Sequence, residues 1–220
     1  DLKEFWHFGQ DLDAQPKLKG IYPNNIHVKE LQNFNKVGNE VYKKLEKTAE
    51  VLLQAIALYL ELDAFYFDSY IREGNSILRA IHYPPITKAP NEAERAAAHG
   101  DINLITLLMG SQGGGLQVLN RNQEWIDAIA GPDELMINIG DMLSRLTNNH
   151  LPSTIHRVVN PPHEEWGNAR YSLPFFMHPI PQMPLNCLPQ MIDAAHPKKY
   201  EDIDAGTFLH QRLVALGLLK

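Results

Sequence analysis

The amino-acid sequence predicts a mainly β protein with flanking helices (α+β), its short strands closing into a barrel or sandwich. Three observations predict it: one long stretch of helical periodicity early in the chain, a following series of β-prone runs separated by turn residues, and a last amphipathic stretch near the end. A chain of 220 residues with 44% hydrophobic content is long enough to bury a sizeable core as one domain.

The helix comes first. Phe34, Val37, Val41, Leu45, Leu52, Ile56 and Leu60 recur at helical spacing, with Lys43, Lys44, Glu46, Lys47 and Glu50 between them, which predicts one amphipathic helix over 34–62. A stripe of this kind packs on a core and supports a site made elsewhere. After Gly74 the expected strands are 77–83, 103–109, 116–119, 125–128, 135–139, 154–160 and 170–177. Pro84-Pro85, Gly113-Gly114-Gly115, Gly131-Pro132-Asp133 and Pro161-Pro162 separate them as turns or loops. A closing helix is expected over 206–219. The organisation is read as a single domain over 1–220: a helical part over 1–76 packing on the barrel, a core over 77–180, and a C-terminal segment over 181–220.

Net charge narrows the partners. At −6, with Lys and Arg scattered, no basic stripe is available to neutralise phosphates, so a small molecule is expected rather than nucleic acid. The single Cys187 has no intramolecular partner, which suits a reducing, cytoplasmic setting. The most apolar stretch, 51–62, is too short and polar to span a bilayer, and no charged, apolar, small-residue signal pattern opens the chain. No membrane association is expected. The chain begins at Asp1 without Met, so residues ahead of it that belong to a sheet edge are expected to be missing. The triple glycine is not read as a phosphate loop, because Leu116-Gln117-Val118-Leu119 after it is β-prone and no Gly-Lys-Ser/Thr follows.

His99-Gly100-Asp101 places an imidazole and a carboxylate two residues apart, so in extended backbone both leave on the same side and can share a metal. Alternation in the run after Ile102 puts the pair at a strand entrance. His156, in the β-prone run 153–159, offers a third ligand from a neighbouring strand. Two histidines and one carboxylate on one face of an octahedron leave three positions open, the ligand set suited to iron(II) that must also take a cosubstrate and dioxygen. Arg170 and Ser172 open the strand that runs into Leu173-Pro174-Phe175-Phe176-Met177 and point to one face. If that face is the interior, the guanidinium calls for an anion, and a planar fork beside a hydroxyl suits bidentate capture of a carboxylate. Asp141 is read as a turn residue. His7, His27, His82, His150, His163, His178, His196 and His210 are read as surface or hydrogen-bonded histidines, with His82 facing away from Tyr83.

Together these residues resemble a family. The runs Ile81-His82-Tyr83-Pro84-Pro85, His99-Gly100-Asp101, Gly114-Gly115-Leu116-Gln117-Val118, Asn138-Ile139-Gly140-Asp141, His156-Arg157-Val158 and Arg170-Tyr171-Ser172, in this order and spacing, resemble the isopenicillin N synthase-like group of iron(II)/2-oxoglutarate-dependent dioxygenases. Lys3-Glu4-Phe5-Trp6-His7-Phe8-Gly9 and the long helix are similar to the group's N-terminal half. The resemblance implies a double-stranded β-helix (jelly-roll) core in which His99, Asp101 and His156 bind iron while Arg170 and Ser172 hold the distal carboxylate of 2-oxoglutarate, with Tyr83 assisting. It implies oxidative decarboxylation of 2-oxoglutarate, with dioxygen, coupled to hydroxylation, desaturation or ring closure of a small organic substrate. Many members carry Asn where this chain has Ile81, a departure that touches the cosubstrate's polar contacts and not the metal ligands. Two other readings stay open: an isopenicillin N synthase-type enzyme in which the Arg-x-Ser pair binds substrate, and a non-catalytic binding protein on the same barrel. The substrate pocket is expected to draw on the loop 86–98, the N-terminal region and the C-terminal helix.

Overall fold

The structure is a computed structural model that describes residues 1–110 and 113–219. Nine strands form two antiparallel sheets among the described residues. The larger holds β1 (Glu4–Phe8), β2 (Ile77–Tyr83), β9 (Arg170–Met177), β4 (Ile105–Met109) and β7 (Leu135–Ile139), in the order β1-β2-β9-β4-β7. The smaller holds β3 (Ala96–His99), β8 (His156–Val158), β5 (Leu116–Leu119) and β6 (Trp125–Asp127), in the order β3-β8-β5-β6. Sequence neighbours are thus often not sheet neighbours, as a jelly roll requires, and the fold class is the mainly β architecture with flanking helices that the sequence predicts.

The helix α1 (Phe34–Tyr59), which a one-turn helix α2 (Asp68–Ile71) follows, covers the outer face of the larger sheet. Its buried stripe of Gly38, Tyr42, Leu45, Ala49, Leu53 and Ala57 meets Leu78, Ile105, Leu107, Phe175 and Met177, all essentially without solvent exposure. Tyr42 meets the Phe175 ring edge-on at 5.2 Å. Gly38 is required by close approach, since a Cβ there would lie 2.2 Å from the Phe8 ring. The helix stops three residues short of the expected end because Glu61 adopts φ 58, a left-handed conformation that closes the last turn.

Alternation along each strand then divides the labour. Ile105, Leu107, Phe175 and Met177 face α1, whereas Thr106, Leu108, Arg170, Ser172, Pro174 and Phe176 line the cavity between the sheets. One set of strands therefore builds the core with one face and the cavity with the other.

Several local expectations need correction. Neither β1 nor β3 is expected from the sequence: Ala96-Ala97-Ala98 has poor strand propensity and is held by only two register pairs, Ala96 with Val158 and His99 with His156. The 103–109 strand starts at Ile105, since the Asn103 side chain donates to the Ile105 carbonyl at 2.9 Å and curls the entry. The 154–160 strand shortens to His156–Val158. Asp141 is not a turn residue but the first residue of a short helix, α3 (Asp141–Leu146), which sinks Met142, Leu143 and Leu146 into the core. A final helix α4 (Ala205–Ala215) is capped by Asp204, whose carboxylate accepts from the Thr207 amide at 2.7 Å, and it ends before Gly217 at φ 71. The two glycines of the triple that need positive φ are Gly113 at 88° and Gly115 at 99°, in the connection leading to β5. No helix among the described residues is long and apolar enough to cross a membrane.

Candidate metal and cosubstrate site

His99 and His156 stand directly opposite one another across the β3–β8 pair, their ring centroids 4.4 Å apart. Asp101 follows in the segment between β3 and β4, so the His-x-Asp pair sits at a strand exit rather than at the expected entrance. The ligand atoms of the three side chains all lie within 4.8 Å of one another, with His156 Nε2 3.8 Å from Asp101 Oδ1. They are close enough to converge on one cation.

Hydrogen bonds set the state of each donor. His99 Nδ1 lies 2.7 Å from the Ala97 carbonyl and His156 Nδ1 lies 3.0 Å from the Thr154 carbonyl. A carbonyl only accepts, so Nδ1 carries the proton in both rings and the Nε2 lone pairs are left for a metal. Partial withdrawal from water, and then the neighbouring His156, lowers the pKa of His99 below the ordinary histidine value, which favours the neutral ligating form. The buried Asp101 carboxylate is oriented from one side: Thr106 Oγ1 donates to Oδ2 at 2.6 Å and Asn138 Nδ2 donates to the same oxygen at 2.9 Å. Oδ1 is therefore the oxygen turned toward the histidines. Two neutral imidazoles and one carboxylate oxygen are a donor set that fits a divalent transition metal with positions to spare.

The backbone beneath Asp101 is clamped as well. The Asp141 amide donates to the Asp101 carbonyl at 2.7 Å, and the Gly140 amide donates to the Leu104 carbonyl at 2.9 Å. Gly140 is close-packed there, for a Cβ would come within 2.2 Å of the Asn103 carbonyl oxygen. Gly100 lies in similar confinement, 2.9 Å from the Ser153 hydroxyl at its Cβ position.

The cavity that holds the triad encloses about 230 Å³. At one part of its wall Tyr83 of β2 lies opposite Arg170 of β9, and Ile81 opposite Ser172. Arg170 and Ser172 are 3% and 6% exposed, and the Arg170 guanidinium sits 5.1 Å over the Tyr83 ring. Burial lowers the Arg170 pKa and raises that of Tyr83, while each acts on the other in favour of its charged form. Arg95 is also near, its guanidinium 6.0 Å from the same ring. All six residues singled out in the sequence line this one cavity.

The sequence reading missed other lining groups. Thr106 and Asn138 orient Asp101, and Asn138 does so from a run that the family resemblance had already marked. Lys3 and Arg79 supply further positive charge; Arg79 alternates with Ile81 and Tyr83 on β2, a period-two signal present in the sequence. Of the three segments expected to line a substrate pocket, Ala96 and Lys3 represent the first two, and α4 contributes none among the described residues. His82 does face away, with its ring stacked on Tyr171 and 2.6 Å from Glu4.

Residues 74–179 match the family model described as the 2OG-Fe(II) oxygenase superfamily. A protein from Caulobacter crescentus assigned to the 2OG-Fe(II) oxygenase family has a crystal structure that superposes with a TM-score of 0.89 at 46% identity, over 98% of this chain and 70% of that one. The chain belongs to the 2OG-Fe(II) oxygenase superfamily. Within the superfamily it is also similar to Neurospora crassa T7H, crystallised in complex with alpha-KG, with a TM-score of 0.86 and 34% identity over 98% of this chain and 66% of that one. The 2-oxoglutarate-Fe(II) type oxidoreductase hxnY of Emericella nidulans is 33% identical over 213 residues, covering 92% of this chain and 60% of hxnY. The chain thus spans about 60% of the length of the curated relatives it matches. Iron(II), 2-oxoglutarate and dioxygen are what enzymes of this superfamily need.

Proposed function

We propose that the chain is the catalytic body of an iron(II) dioxygenase that couples oxidative decarboxylation of 2-oxoglutarate to oxidation of a small organic substrate. One observation carries the reading: the His99–Asp101–His156 triad and the Arg170–Ser172–Tyr83 group line the same cavity. In this reading His99 Nε2, Asp101 Oδ1 and His156 Nε2 hold the iron, and Arg170, Ser172 and Tyr83 hold the distal carboxylate of 2-oxoglutarate. Iron(II) and 2-oxoglutarate, when bound, would supply the oxidising power with dioxygen as oxidant, the keto acid leaving as succinate and carbon dioxide.

The protein's share is positioning. Thr106 and Asn138 fix which carboxylate oxygen faces the metal, the Ala97 and Thr154 carbonyls fix the imidazole tautomers, and Ile81, Leu108, Val118 and Met136 keep water away from the reacting atoms. A cavity of about 230 Å³ lies below the roughly 300–1,000 Å³ of drug-sized ligand sites, so a compact substrate fits it. The similarity to T7H, a protein crystallised with alpha-KG, supports 2-oxoglutarate as cosubstrate over the isopenicillin N synthase-type alternative. The reading extends to one catalytic domain acting in the cytoplasm on a small molecule, without nucleic acid or membrane.

Calorimetric titration of 2-oxoglutarate into protein loaded with manganese(II), an oxygen-inert stand-in for iron, tests it. Stoichiometric binding that disappears without metal is expected. Absence of binding to the loaded protein would overturn the cosubstrate assignment.

A further inference from the structure

The cavity has a second cationic region that neither the triad nor the Arg170 group uses. Arg79 of β2 stands in register with His7 of β1, and its Nε donates to His7 Nε2 at 2.7 Å. Its guanidinium is held between two rings, 4.6 Å from the centroid of Phe5 and 5.0 Å from that of Phe176. Burial, reinforced by Arg79, holds the His7 pKa down to about 4, so at neutral pH His7 accepts this hydrogen bond without carrying charge. Among the described residues no carboxylate lies within ion-pair distance of Arg79, and no acceptor meets its two terminal nitrogens.

Lys3 lines the same cavity with a side chain 14% exposed. Asp1 pairs with its ammonium at 3.0 Å and accepts the Ala97 amide at 2.9 Å through its other oxygen, which moors Lys3 beside β3. An ammonium has three donors, so one ion pair does not exhaust it. Both Lys3 and Arg79 feel the Asp101 carboxylate, and Arg79 also feels Tyr83, whereas the groups acting on Arg170 are Tyr83 and Arg95 and not Asp101. The Lys3–Arg79 region is thus on the triad's side of the cavity. Arg79 is also four residues along β2 from Tyr83, roughly 13 Å between backbone positions at the ordinary strand rise, so a cosubstrate anchored at Arg170 and reaching the triad leaves it open.

Building on the iron and 2-oxoglutarate reading, we propose that Arg79, assisted by Lys3, binds a carboxylate of the primary substrate, which is a compact organic acid. The guanidinium offers a planar fork already oriented by His7 and two rings, and a bound carboxylate supplies the ion-pair partner that the described residues do not. The apolar body of the acid lies against Leu108, Met136 and Pro174, which line the cavity around the triad.

The test uses matched probes. Benzoate and hexanoate, each beside its primary amide, are titrated calorimetrically into anaerobic protein loaded with iron(II) and saturated with 2-oxoglutarate. At least one acid is expected to bind tenfold or more tighter than its amide. Arg79→Gln should reduce that preference at least tenfold and Lys3→Ala by less, Arg79→Lys should restore part of it, and all three should keep metal and 2-oxoglutarate binding, which shows that they fold. Equal affinity for acid and amide, including none for either, overturns the inference, as does a preference that survives Arg79→Gln. Loss of 2-oxoglutarate in Arg79→Gln with retention in Arg170→Ala also overturns it, by making Arg79 the cosubstrate clamp. If 2-oxoglutarate fails to bind wild-type protein, the functional reading falls, and the acid–amide comparison on protein loaded with metal alone still decides the role of Arg79.

Discussion

The Thr106 hydroxyl donates to Asp101 Oδ2 across 2.6 Å, and in doing so leaves Oδ1 as the oxygen that faces His156. Asn103 supports the same hydroxyl, its Nδ2 donating to Thr106 Oγ1 at 3.0 Å, so the donor is itself held in place. Groups of this kind, behind the ligands, commonly govern metal affinity by ~10–100-fold. Thr106→Val, which keeps the shape and removes the donor, is therefore expected to weaken metal binding by about that factor with little change in far-ultraviolet circular dichroism. Metal affinity equal to wild type in a competition titration would show that the hydroxyl does not orient the ligand.

Arg170 is expected to act on the cosubstrate alone. Truncating one side of a buried charged hydrogen-bonded pair costs about 2–5 kcal/mol, so Arg170→Ala should weaken 2-oxoglutarate by roughly thirtyfold or more at about 1.4 kcal/mol per tenfold. Ser172→Ala, which removes a neutral hydroxyl, should do less. Metal stoichiometry should remain that of wild type in both. Unaltered 2-oxoglutarate affinity in Arg170→Ala would remove the carboxylate clamp from the account.

Gly140 is the close-packed point between α3 and the segment carrying Asp101. Because a Cβ would meet a backbone carbonyl at 2.2 Å, and not the yielding end of a side chain, Gly140→Ala has to move backbone. An overpacking cost of about 1–3 kcal/mol follows, at about 2–4 °C of Tm per kcal/mol for a chain of this size. Since the shift falls beneath Asp101, metal affinity should drop as well. Thermal unfolding with and without metal checks both, and an unchanged Tm would contradict the packing argument.

Stability of the metal-free protein should depend on pH through His178, whose pKa burial holds down to about 4. The unfolded chain, titrating near 6.5, binds more protons than the folded one between about 4 and 6.5. The contribution is therefore fully present above 6.5 and is lost as pH falls toward 4. His7 acts in the same sense, and Glu46, raised by burial, in the opposite one. The decisive comparison is thus wild type against His178→Gln: the fall in urea midpoint between pH 7 and pH 5 should be smaller in the variant. Identical pH dependence would contradict a neutral His178 in the folded protein.

Much of this was legible in the sequence, and the exceptions have physical causes. The long helix follows from periodicity and the strands β2, β5, β7 and β9 from β-prone runs bounded by turn residues, β2 and β9 being the two that also bury residues. The strands β1 and β3 were illegible by pattern: β1 puts Glu4, Phe5, Trp6 and His7 on a partly exposed edge, and β3 is nearly all alanine. At the site, the candidate ligands His99, Asp101 and His156 are marked by their spacing and by the family's motifs, but Thr106 and Asn138 act through hydrogen bonds whose partners meet only once β4 and β7 pair. Arg79 was missed for a different reason. Its period-two relation to Ile81 and Tyr83 is visible, yet nothing in the sequence tells which face of β2 lines a cavity.

The central claim is that His99, Asp101 and His156 hold an iron(II) ion to which 2-oxoglutarate binds. The most direct measurement is an anaerobic titration of metal-free protein with iron(II) and then 2-oxoglutarate, watched for the visible charge-transfer band of the chelated keto acid. A saturable band at one iron per chain in the wild type, absent in His99→Ala and Asp101→Ala along with stoichiometric iron, is the result predicted. Iron retained at full stoichiometry in those variants, or no band in wild-type protein that has bound its iron, would contradict it.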